Sequence, residues 1–429
     1  MRIALFGLGK IGLPLAVQYA RKGHEVVGVD TNPGVVETVN QGQEPFPGEA
    51  HLLDYLEDAV ASARLSATTD GHSAVASAEA VVVAVPLYVD DEARPDFSAI
   101  DAVVRTIGNA VRAGALVSFE TTLPVGTTRD RIGPEIERRS GLAVGSEVHL
   151  VFSPERVLTG RVFADLRRYP KLVGGVSNAS EDAGVAFYEA VLDFDERPDL
   201  ARPNGVWRMG TSEAAEMAKL AETTYRDVNI ALANQFALYA ERTGLDVHAV
   251  IEACNSQPYS HIHQPGVAVG GHCIPVYPRL YLWGDPAATV VRAAREANAD
   301  MPAAVAARTA QELGGLQGKK VLILGAAYRG GVKETAFSGA FPLRDALEDS
   351  GATVLVHDPL YGAHELAALG FDPYVPGTPV DAAIIQADHR EYAPWGLDWT
   401  LPTDLVVDGR GVVDSGDWPG TRVIRLGSA

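Results

Sequence analysis

The first thirty residues contain a glycine pattern that restricts the fold more than any other feature of the chain. A short apolar segment, Arg2–Phe6, precedes three glycines spaced G-x-G-x-x-G, and a second apolar segment follows at Glu25–Asp30. In a strand–helix–strand unit, the first glycine makes the tight turn, the second lets the backbone approach a pyrophosphate, and the third lets the helix pack on the strand. The N-terminus of that helix then faces the phosphate charge. The pattern predicts a dinucleotide site formed by Gly7, Gly9, Lys10, Ile11 and Gly12.

The carboxylate at the end of the second apolar segment, Asp30, helps to predict whether NAD or NADP binds. Asp30 lies 18 residues after Gly12. A carboxylate at this position bonds the ribose hydroxyls of NAD and repels the additional phosphate of NADP, so NAD is the predicted cofactor. The alternative is that Asp30 only begins a turn with Thr31 and Asn32.

Further apolar segments alternate with helical patterns through the first half of the chain. This alternation is typical of a parallel sheet with helices on both faces. Buried strands are predicted at Ala80–Val85, Leu116–Glu120, Val148–Phe152 and Lys171–Gly175.

A long helical pattern separates this region from a second alternating region. Ser212–Arg242 contains neither proline nor glycine and carries apolar residues at helical spacing. About 30 helical residues would span roughly 45 Å. A shorter helix is predicted at Val247–Asn255, and later strands at Val321–Gly325, Thr353–Asp358, Ala382–Ala387 and Leu405–Asp408. The predicted fold is therefore α/β, with two Rossmann-like doubly wound domains joined by a long central helix.

Composition narrows the classes of partner and compartment. The formal charge is −19 and no cluster of Lys or Arg stands out, so nucleic acid and anionic membranes are not expected as partners. The chain has two cysteines, too few for a disulfide framework, which fits a reducing cytoplasm. No apolar run approaches the length needed to span a membrane.

One of the two cysteines lies in an unusual setting, Gly270-Gly271-His272-Cys273-Ile274-Pro275. A thiol beside a nicotinamide can trap an aldehyde and then pass through a thioester, which takes an alcohol to an acid in one site. The alternative is that Cys273 is a small buried hydrophobic residue, as free cysteines commonly are. No common zinc-ligand spacing includes His261, His263, His272 and Cys273, so no metal is predicted.

Motifs spread over nearly the whole chain together resemble the UDP-glucose/GDP-mannose dehydrogenase family, and within it the UDP-N-acetylmannosamine and UDP-N-acetylglucosamine 6-dehydrogenase branch. The motifs that carry this resemblance, in order, are Gly7–Gly12, Val85-Pro86, Thr121–Thr128, Ser153–Leu158, Ala215–Leu220, Thr224–Asn229 and Gly270–Cys273.

The resemblance implies a domain for each part of the chain. Residues 1–200 would form the NAD-binding domain, residues 201–300 a central helical domain with the cysteine and a dimerisation surface, and residues 301–429 a nucleotide-sugar-binding domain. Gly325-Ala326-Ala327 looks like a second glycine loop, but it lacks the full spacing, so no dinucleotide is assigned to it.

The resemblance also implies a role for individual residues. Cys273 would be the nucleophile toward the aldehyde and Lys219 would stabilise the developing oxyanion or assist proton transfer. Thr122 and Glu155 would flank the nicotinamide and position the hydrolytic water, with Thr223 in the same apparatus. Further cofactor contacts are implied for Val85, Pro86 and Cys273, and substrate contacts for Lys219, Gly270, Arg329 and Arg410.

Each of three charged residues also has a simpler interpretation. Lys219 could be a solvated helix residue, although the chain keeps only seven lysines against 29 arginines. Glu155 could be an acidic residue that stabilises a helix N-terminus. Arg410 could simply pair with Asp408 or Asp414.

The chain departs from the family pattern at four places. Thr223 stands where the family has asparagine, and Tyr277 stands where it has an acidic residue; a tyrosine is no carboxylate base near neutral pH. No Arg or Lys lies between Arg242 and Arg279, which leaves His261 and His263 as the candidates for positive charge there. The family's Thr-Arg-Glu-Ser run reads Thr335-Ala336-Phe337-Ser338.

The leading hypothesis is an NAD-dependent enzyme that oxidises C6 of a nucleotide sugar from alcohol to carboxylate, a four-electron reaction, as a homodimer or higher oligomer. One alternative is a two-electron or redox-neutral oxidoreductase on the same scaffold, motivated by Thr223 and Tyr277. Another is a non-catalytic dinucleotide-binding protein.

Overall fold

The computed structural model describes residues 1–90, 92–393, 401–413, 418 and 420–428. The chain forms two compact units, one of residues 1–221 with 279–284, the other of residues 222–278 with 285–429. The boundary between the two units falls within the long helix that the sequence predicts.

The first unit is built on an eight-stranded sheet. The strand order is β10-β9-β8-β7-β4-β1-β2-β3, and a two-stranded hairpin, β5-β6, lies apart from it. The strands are β1 (Arg2–Phe6), β2 (Glu25–Val29), β3 (Leu65–Thr68), β4 (Ala80–Val83), β5 (Tyr88–Val89), β6 (Pro95–Asp96), β7 (Leu116–Phe119), β8 (His149–Phe152), β9 (Lys171–Gly175) and β10 (Val206–Arg208).

Helices cover this sheet between its strands. They are α1 (Gly12–Arg21), α2 (Pro33–Asn40), α3 (Leu52–Ala61), α4 (Gly71–Ser77), α5 (Ser98–Ala110), a π-helical turn (Thr127–Ile132), α6 (Gly133–Ser140), α7 (Val162–Arg168) and α8 (Asn178–Val191). Strands β4 and β7 are buried throughout, as expected for a sheet with both faces covered.

The sheet is parallel, as predicted, except at one strand pair. Six of its seven strand pairs run parallel, whereas β8 and β9 pair antiparallel, with Val151 opposite Gly175. The chain between them contains only the short helix α7 and returns along the same edge, rather than crossing over the sheet. The predicted strand at Ala80–Val85 is also too long, because β4 ends at Val83.

The long helix, α9, spans Ser212–Thr243, one residue beyond the predicted end. It is followed by α10 (Val247–Asn255), α11 (Tyr277–Gly284), α12 (Thr289–Ala299) and α13 (Met301–Leu313). No helix within the described residues is both long and apolar enough to cross a lipid bilayer.

The second unit contains a five-stranded sheet, all of whose strand pairs are parallel. Its elements are β11 (Lys320–Leu324), α14 (Ala340–Asp349), β12 (Thr353–His357), α15 (Ala363–Ala368), β13 (Ala382–Ile385), a 3-10 turn (Arg390–Tyr392), β14 (Leu405–Asp408) and β15 (Arg422–Arg425). The strand order is β12-β11-β13-β14-β15.

The core of the second unit lies on both faces of this sheet. Val321 and Ile323 pack into one apolar cluster, whereas Leu322 and Leu324 pack into another. Successive residues of a strand point to opposite faces, so β11 is buried on both sides. The prediction of two Rossmann-like, doubly wound domains with a long central helix is confirmed by this architecture and by the solved structures described below.

Candidate active site

The glycine loop after β1 has the backbone geometry that a pyrophosphate site requires. Gly7 has φ +91°, and a Cβ added to Gly12 would lie 1.8 Å from the Gly7 carbonyl oxygen. Both positions therefore require glycine. No atom of the protein lies within 4 Å of a Cβ added to Gly9, so the loop presents open backbone at this residue. Lys10 and Ile11 follow it, half-buried, directly before α1. This cradle fits NAD.

Asp30 makes the turn considered from the sequence and also contacts the glycine loop. One carboxylate oxygen accepts from the Asn32 amide at 2.9 Å, which is the predicted turn. The other accepts from the Leu8 amide at 2.9 Å, so the carboxylate also lies against the glycine loop. The turn fixes the side chain where a ribose contact is expected.

The remaining predicted cofactor residues follow the neighbouring strands β4 and β7. Val85 and Pro86 come two and three residues after β4, and the Val85 carbonyl accepts from the Thr121 hydroxyl at 2.5 Å. Thr122 is buried, with 5% of its surface exposed. Ligands of open parallel sheets bind beyond the carboxyl ends of the strands, and β1, β4 and β7 all present these residues at that edge.

Replacing Gly9 by alanine is expected to weaken NAD binding without harming the fold. The added methyl meets no protein atom but occupies the space where the pyrophosphate approaches. We expect the Kd for NAD to rise at least about tenfold while the thermal midpoint stays unchanged, measured by calorimetric titration and thermal unfolding. Gly284→Ala is the matched control, because a Cβ there also meets nothing within 4 Å; equal NAD affinity in the two variants would contradict the assignment.

A buried charged triad in the first unit includes Glu155, one of the predicted site residues. The Lys171 ammonium donates to Glu120 at 2.7 Å and to Glu155 at 2.8 Å, and the side chains are at most 10% exposed. The other oxygen of Glu120 accepts from Tyr19 at 3.0 Å and from Tyr188 at 2.8 Å. The triad therefore satisfies its charges internally, as buried ionic groups require.

Within the triad the pKa values of the two carboxyl groups are shifted in opposite directions. Burial raises the pKa of Glu120, and the Lys171 charge opposes this only in part. Burial also acts on Glu155, but the Lys171 charge and hydrogen bonds outweigh it and leave the pKa of Glu155 below its ordinary value. The Lys171 charge and hydrogen bonds therefore favour the ionised form of Glu155.

Lys219 is directed at the same segment. Its ammonium donates to the Glu155 carbonyl oxygen at 2.7 Å, and the residue is buried, with 7% exposed. The interpretation of Lys219 as a solvated helix residue is therefore wrong. The interpretation of Glu155 as a helix N-terminal acid is also wrong, because the next helix, α7, begins only at Val162.

A second buried acid, Glu216, attaches the start of α9 to the loop that carries Thr122. Its carboxyl group accepts from the Gly126 amide at 2.6 Å, and from the Thr128 amide and hydroxyl at 2.9 and 2.7 Å. Burial nevertheless raises the pKa of Glu216 to about 7. One helix thus carries both this anchor and Lys219.

The raised pKa of Glu216 makes stability depend on pH. Between pH 4.5, the ordinary pKa of the group, and about pH 7, the folded protein keeps a proton on Glu216 that the unfolded chain has released. The contribution of this proton to the free energy of unfolding is therefore complete below pH 4.5 and is lost as the pH rises through 7. The loss amounts to about 3 kcal/mol. The free energy of unfolding, measured with urea from pH 5 to pH 8, should fall by this amount in the wild type. Glu216→Gln does not titrate at this position and should not show the fall. The same pH dependence in both proteins would contradict the prediction.

In the second unit, the Cys273 loop is packed against a tyrosine. A Cβ added to Gly270 would lie 2.6 Å from Tyr328 Cβ, and Gly271 has φ +92° with the Tyr328 ring 3.1 Å from its would-be Cβ. The Gly271 amide donates to the Ala336 carbonyl at 2.8 Å. Both glycines are therefore required for the loop to lie this close.

Cys273 itself is half-buried and free of any disulfide, so it is not the fully buried hydrophobic residue of the alternative interpretation. Its carbonyl accepts from the amides of Val276 and Tyr277 at 3.2 and 2.9 Å, a turn that leads into α11. The neighbouring His272 ring lies 3.4 Å from the Glu334 carboxylate and is exposed. The imidazole therefore has a partner on another segment.

The two arginines predicted to bind substrate have different surroundings. The Arg410 guanidinium donates to the Gln386 carbonyl at 2.6 Å and to the Ala268 and Tyr328 carbonyls at 3.4 and 3.5 Å. Its backbone amide, not its side chain, bonds Asp408, and Asp414 lies outside the described residues. Arg329 is exposed, with its Nε 3.4 Å from the Tyr328 hydroxyl.

The departures from the family pattern also have defined settings. Thr223 is buried, with 1% exposed, and Tyr277 is the first residue of α11. Burial and the charge of Arg226 lower the pKa of His263, so His263 does not supply positive charge near neutral pH. Among the described residues, no group of three His, Cys, Asp or Glu side chains could hold a metal ion.

Sequence reasoning missed Glu120, Lys171 and Glu216 as members of this site. One signal was available, because a lysine within the apolar strand segment Lys171–Gly175 is unusual in a chain with seven lysines. Glu216 lies within the motif Ala215–Leu220 and Glu120 ends the predicted strand Leu116–Glu120, but the residues that each of them contacts are distant in sequence.

Family models match three successive segments of the chain. All describe the UDP-glucose/GDP-mannose dehydrogenase family: its NAD binding domain matches residues 1–192, its central domain residues 213–300 and its UDP binding domain residues 322–415.

Individual proteins are similar over the whole length. The UDP-N-acetyl-D-mannosamine dehydrogenase of Pyrococcus horikoshii is 33% identical, with 96% of each chain covered. A solved structure of UDP-D-ManNAc dehydrogenase from that organism has a TM-score of 0.87 at 29% identity and covers 100% of this chain and 99% of that one. A UDP-glucose dehydrogenase structure from Pyrobaculum islandicum has a TM-score of 0.86 at 27% identity, covering 100% and 98%.

The fold and the glycine-loop site are those of an NAD-dependent dehydrogenase with two Rossmann-like domains. The chain belongs to the UDP-glucose/GDP-mannose dehydrogenase family. It is accordingly an NAD-dependent nucleotide-sugar dehydrogenase, and the predictions of its family, enzyme class and cofactor are confirmed.

Proposed function

We propose that this enzyme oxidises C6 of a nucleotide sugar from alcohol to carboxylate in four electrons, with Cys273 as the covalent nucleophile. The observation that carries the proposal is the half-buried Cys273 thiol on a loop whose two glycines are fixed against Tyr328. A structural cysteine would need no such constrained, glycine-flanked position.

NAD, when bound, supplies the hydride acceptance that both oxidation steps require. Gly7, Gly9, Lys10, Ile11 and Gly12 would hold its pyrophosphate and Asp30 its ribose. Val85, Pro86, Thr122 and Glu155 of the first unit are also proposed to contact the cofactor, and so is Cys273.

The thiolate of Cys273 would add to the aldehyde carbon to give a hemithioacetal. This would lose a hydride, which the bound dinucleotide would accept, and a proton, to give the thioester. Water would then release the carboxylate and return the thiol. Lys219, fixed by the Glu155 carbonyl, would stabilise the oxyanion. Glu155, whose pKa is held low beside Lys171, would orient the water together with Thr122 and Thr223.

A UDP-linked N-acetylhexosamine is the proposed substrate class. The family model of the last domain is described as UDP binding, and the similar proteins include UDP-N-acetyl-D-mannosamine dehydrogenases. Arg329, Arg410, Gly270 and Lys219 are proposed to contact this substrate.

A panel of nucleotide sugars tests the proposal. Turnover of UDP-N-acetylmannosamine, UDP-N-acetylglucosamine, UDP-glucose and GDP-mannose would be followed by NADH absorbance, with the product mass recorded. Uronate from a UDP-N-acetylhexosamine supports the assignment. Turnover of GDP-mannose alone, or NAD binding without any turnover, would contradict it.

We further propose that the enzyme is a homodimer through α9. This helix exposes a row of large apolar side chains, each between 38% and 58% exposed: Met217, Tyr225, Leu232, Phe236 and Tyr239. Contiguous exposed apolar surface of this kind marks an interface. Light scattering should give a dimer mass that Leu232→Glu reduces; a wild-type monomer would contradict it.

A further inference from the structure

Both ends of the Cys273 loop are attached to one buried polar network in the second unit. At the start of the loop, the Gly266 amide donates to the Asn234 side-chain oxygen at 2.9 Å. At its end, directly after the cysteine, the Ile274 carbonyl lies 3.5 Å from the Arg295 guanidinium. The nucleophile therefore lies between two attachment points.

These two attachment points belong to the same chain of hydrogen bonds. Arg295 and Asn298 both donate to an oxygen of Asp227, each at 2.8 Å. The Asn298 amide also donates to the Asp227 carbonyl at 3.0 Å and accepts from Asn234 at 2.9 Å. We call Asp227, Asn234, Arg295 and Asn298 the loop-anchoring network.

The donors and acceptors of this network can be arranged in only one way. Asp227 accepts, so the Asn298 nitrogen must face it and the Asn298 oxygen must face Asn234. Asn234 then donates to Asn298 and turns its own oxygen toward the Gly266 amide, which can only donate. The charge of Asp227 thus determines how the loop is held at Gly266.

The network lies on two helices and is buried. Asp227 and Asn234 are two turns apart on α9, and Arg295 and Asn298 are one turn apart on α12, so each pair shares a helix face. Asp227, Asn234 and Asn298 are at most 2% exposed. Apolar side chains would hold two helices together at least as well as a buried ion pair does, so adhesion of α9 to α12 does not explain the polar residues.

We propose that the loop-anchoring network positions the Cys273 thiol for attack, an inference that rests on the proposed function of Cys273. Packing on Tyr328 and the hydrogen bond from the Gly271 amide to Ala336 hold the middle of the loop. The network holds its two ends, at Gly266 and Ile274. Its members are positioning residues and do not themselves contact the substrate.

The decisive variant is Asn234→Ala, which removes the attachment at Gly266. We expect kcat to fall about 100-fold, the effect of a misplaced reacting group, while the KM values for NAD and sugar change little. Iodoacetamide should alkylate Cys273 severalfold faster than in the wild type, relative to Cys254 in the same chain, because the loop is released. Peptide mass spectrometry measures both cysteines in one sample.

Thr309→Val is the matched control, since Thr309 is fully buried and donates one hydrogen bond, to the Val305 carbonyl, away from the loop. If Asn234→Ala behaved like this control in kcat and in alkylation, the inference would be wrong. Asn234→Asp is the second variant for the case in which alanine prevents folding. It conserves volume and accepts from Gly266 but does not donate to Asn298 when ionised, so an unchanged kcat would also overturn the inference.

The two proposals fail separately. If the wild type released aldehyde and no uronate, the proposed function would fail, yet the alkylation ratio of Asn234→Ala would still decide the positioning role. If the wild type formed uronate and the Asn234 variants matched it in both readouts, only the inference about the network would fail.

Discussion

Replacing Cys273 by serine should reduce uronate formation by more than about 10³-fold, the scale of removing a covalent nucleophile. Serine keeps the size of the side chain, so the loop packed on Tyr328 should be undisturbed. A serine hydroxyl is far less nucleophilic than a thiolate at neutral pH, and the thioester cannot form. The measurement is product mass and NADH release over time with saturating NAD and sugar.

Cys254→Ser is the matched control for this variant. Cys254 is the other cysteine of the chain, is also half-buried and free, and lies on α10. We expect its rate to stay within about twofold of the wild type, as for most changes away from a functional site. Release of uronate by Cys273→Ser at the wild-type rate would rule out the covalent step.

Lys171→Met should strongly destabilise the first unit. It conserves the length of the side chain but leaves Glu120 and Glu155 together without their cation, and both are buried. Breaking a buried pair in this way costs about 3–5 kcal/mol. We expect the midpoint of urea unfolding to fall accordingly, monitored by fluorescence of the first unit.

A control variant separates the effect of losing the buried ion pairs from the effect of replacing any lysine by methionine. Lys22→Met is the control, because Lys22 bonds Asp193 at 2.7 Å with both side chains partly exposed. Exposed pairs contribute about 0–1 kcal/mol, so this variant should be close to the wild type. Equal midpoints for Lys171→Met and Lys22→Met would show that the triad is not a stabilising unit.

Much of the fold is predictable because local patterns decide it. The strands Arg2–Phe6, Lys171–Gly175 and Leu405–Asp408 were predicted with the bounds that the structure has. Apolar runs between glycine-rich turns determine such strands without reference to the rest of the chain. The antiparallel pairing of β9 with β8 depends on how the connection between these strands packs. No local sequence pattern encodes that packing.

The candidate site is predictable only in part, for the same physical reason. Gly7, Gly9 and Gly12 are recognisable because one turn contains all their constraints. The triad joins Glu120, Glu155 and Lys171 across 51 residues, and the network behind Cys273 joins Asp227 to Asn298 across 71. Contacts between such distant positions arise from packing, and a single sequence gives no sign of which buried polar groups will meet.

The number of NADH molecules formed per sugar consumed tests the four-electron claim most directly. The wild-type enzyme would be given a limiting amount of the nucleotide sugar that it turns over, with excess NAD, and the reaction followed to completion. We predict two NADH and one uronate for each sugar, with Tyr277 tolerated in place of the family's acidic residue. One NADH and a free aldehyde would contradict the account and would make Thr223 and Tyr277 the mark of a two-electron enzyme.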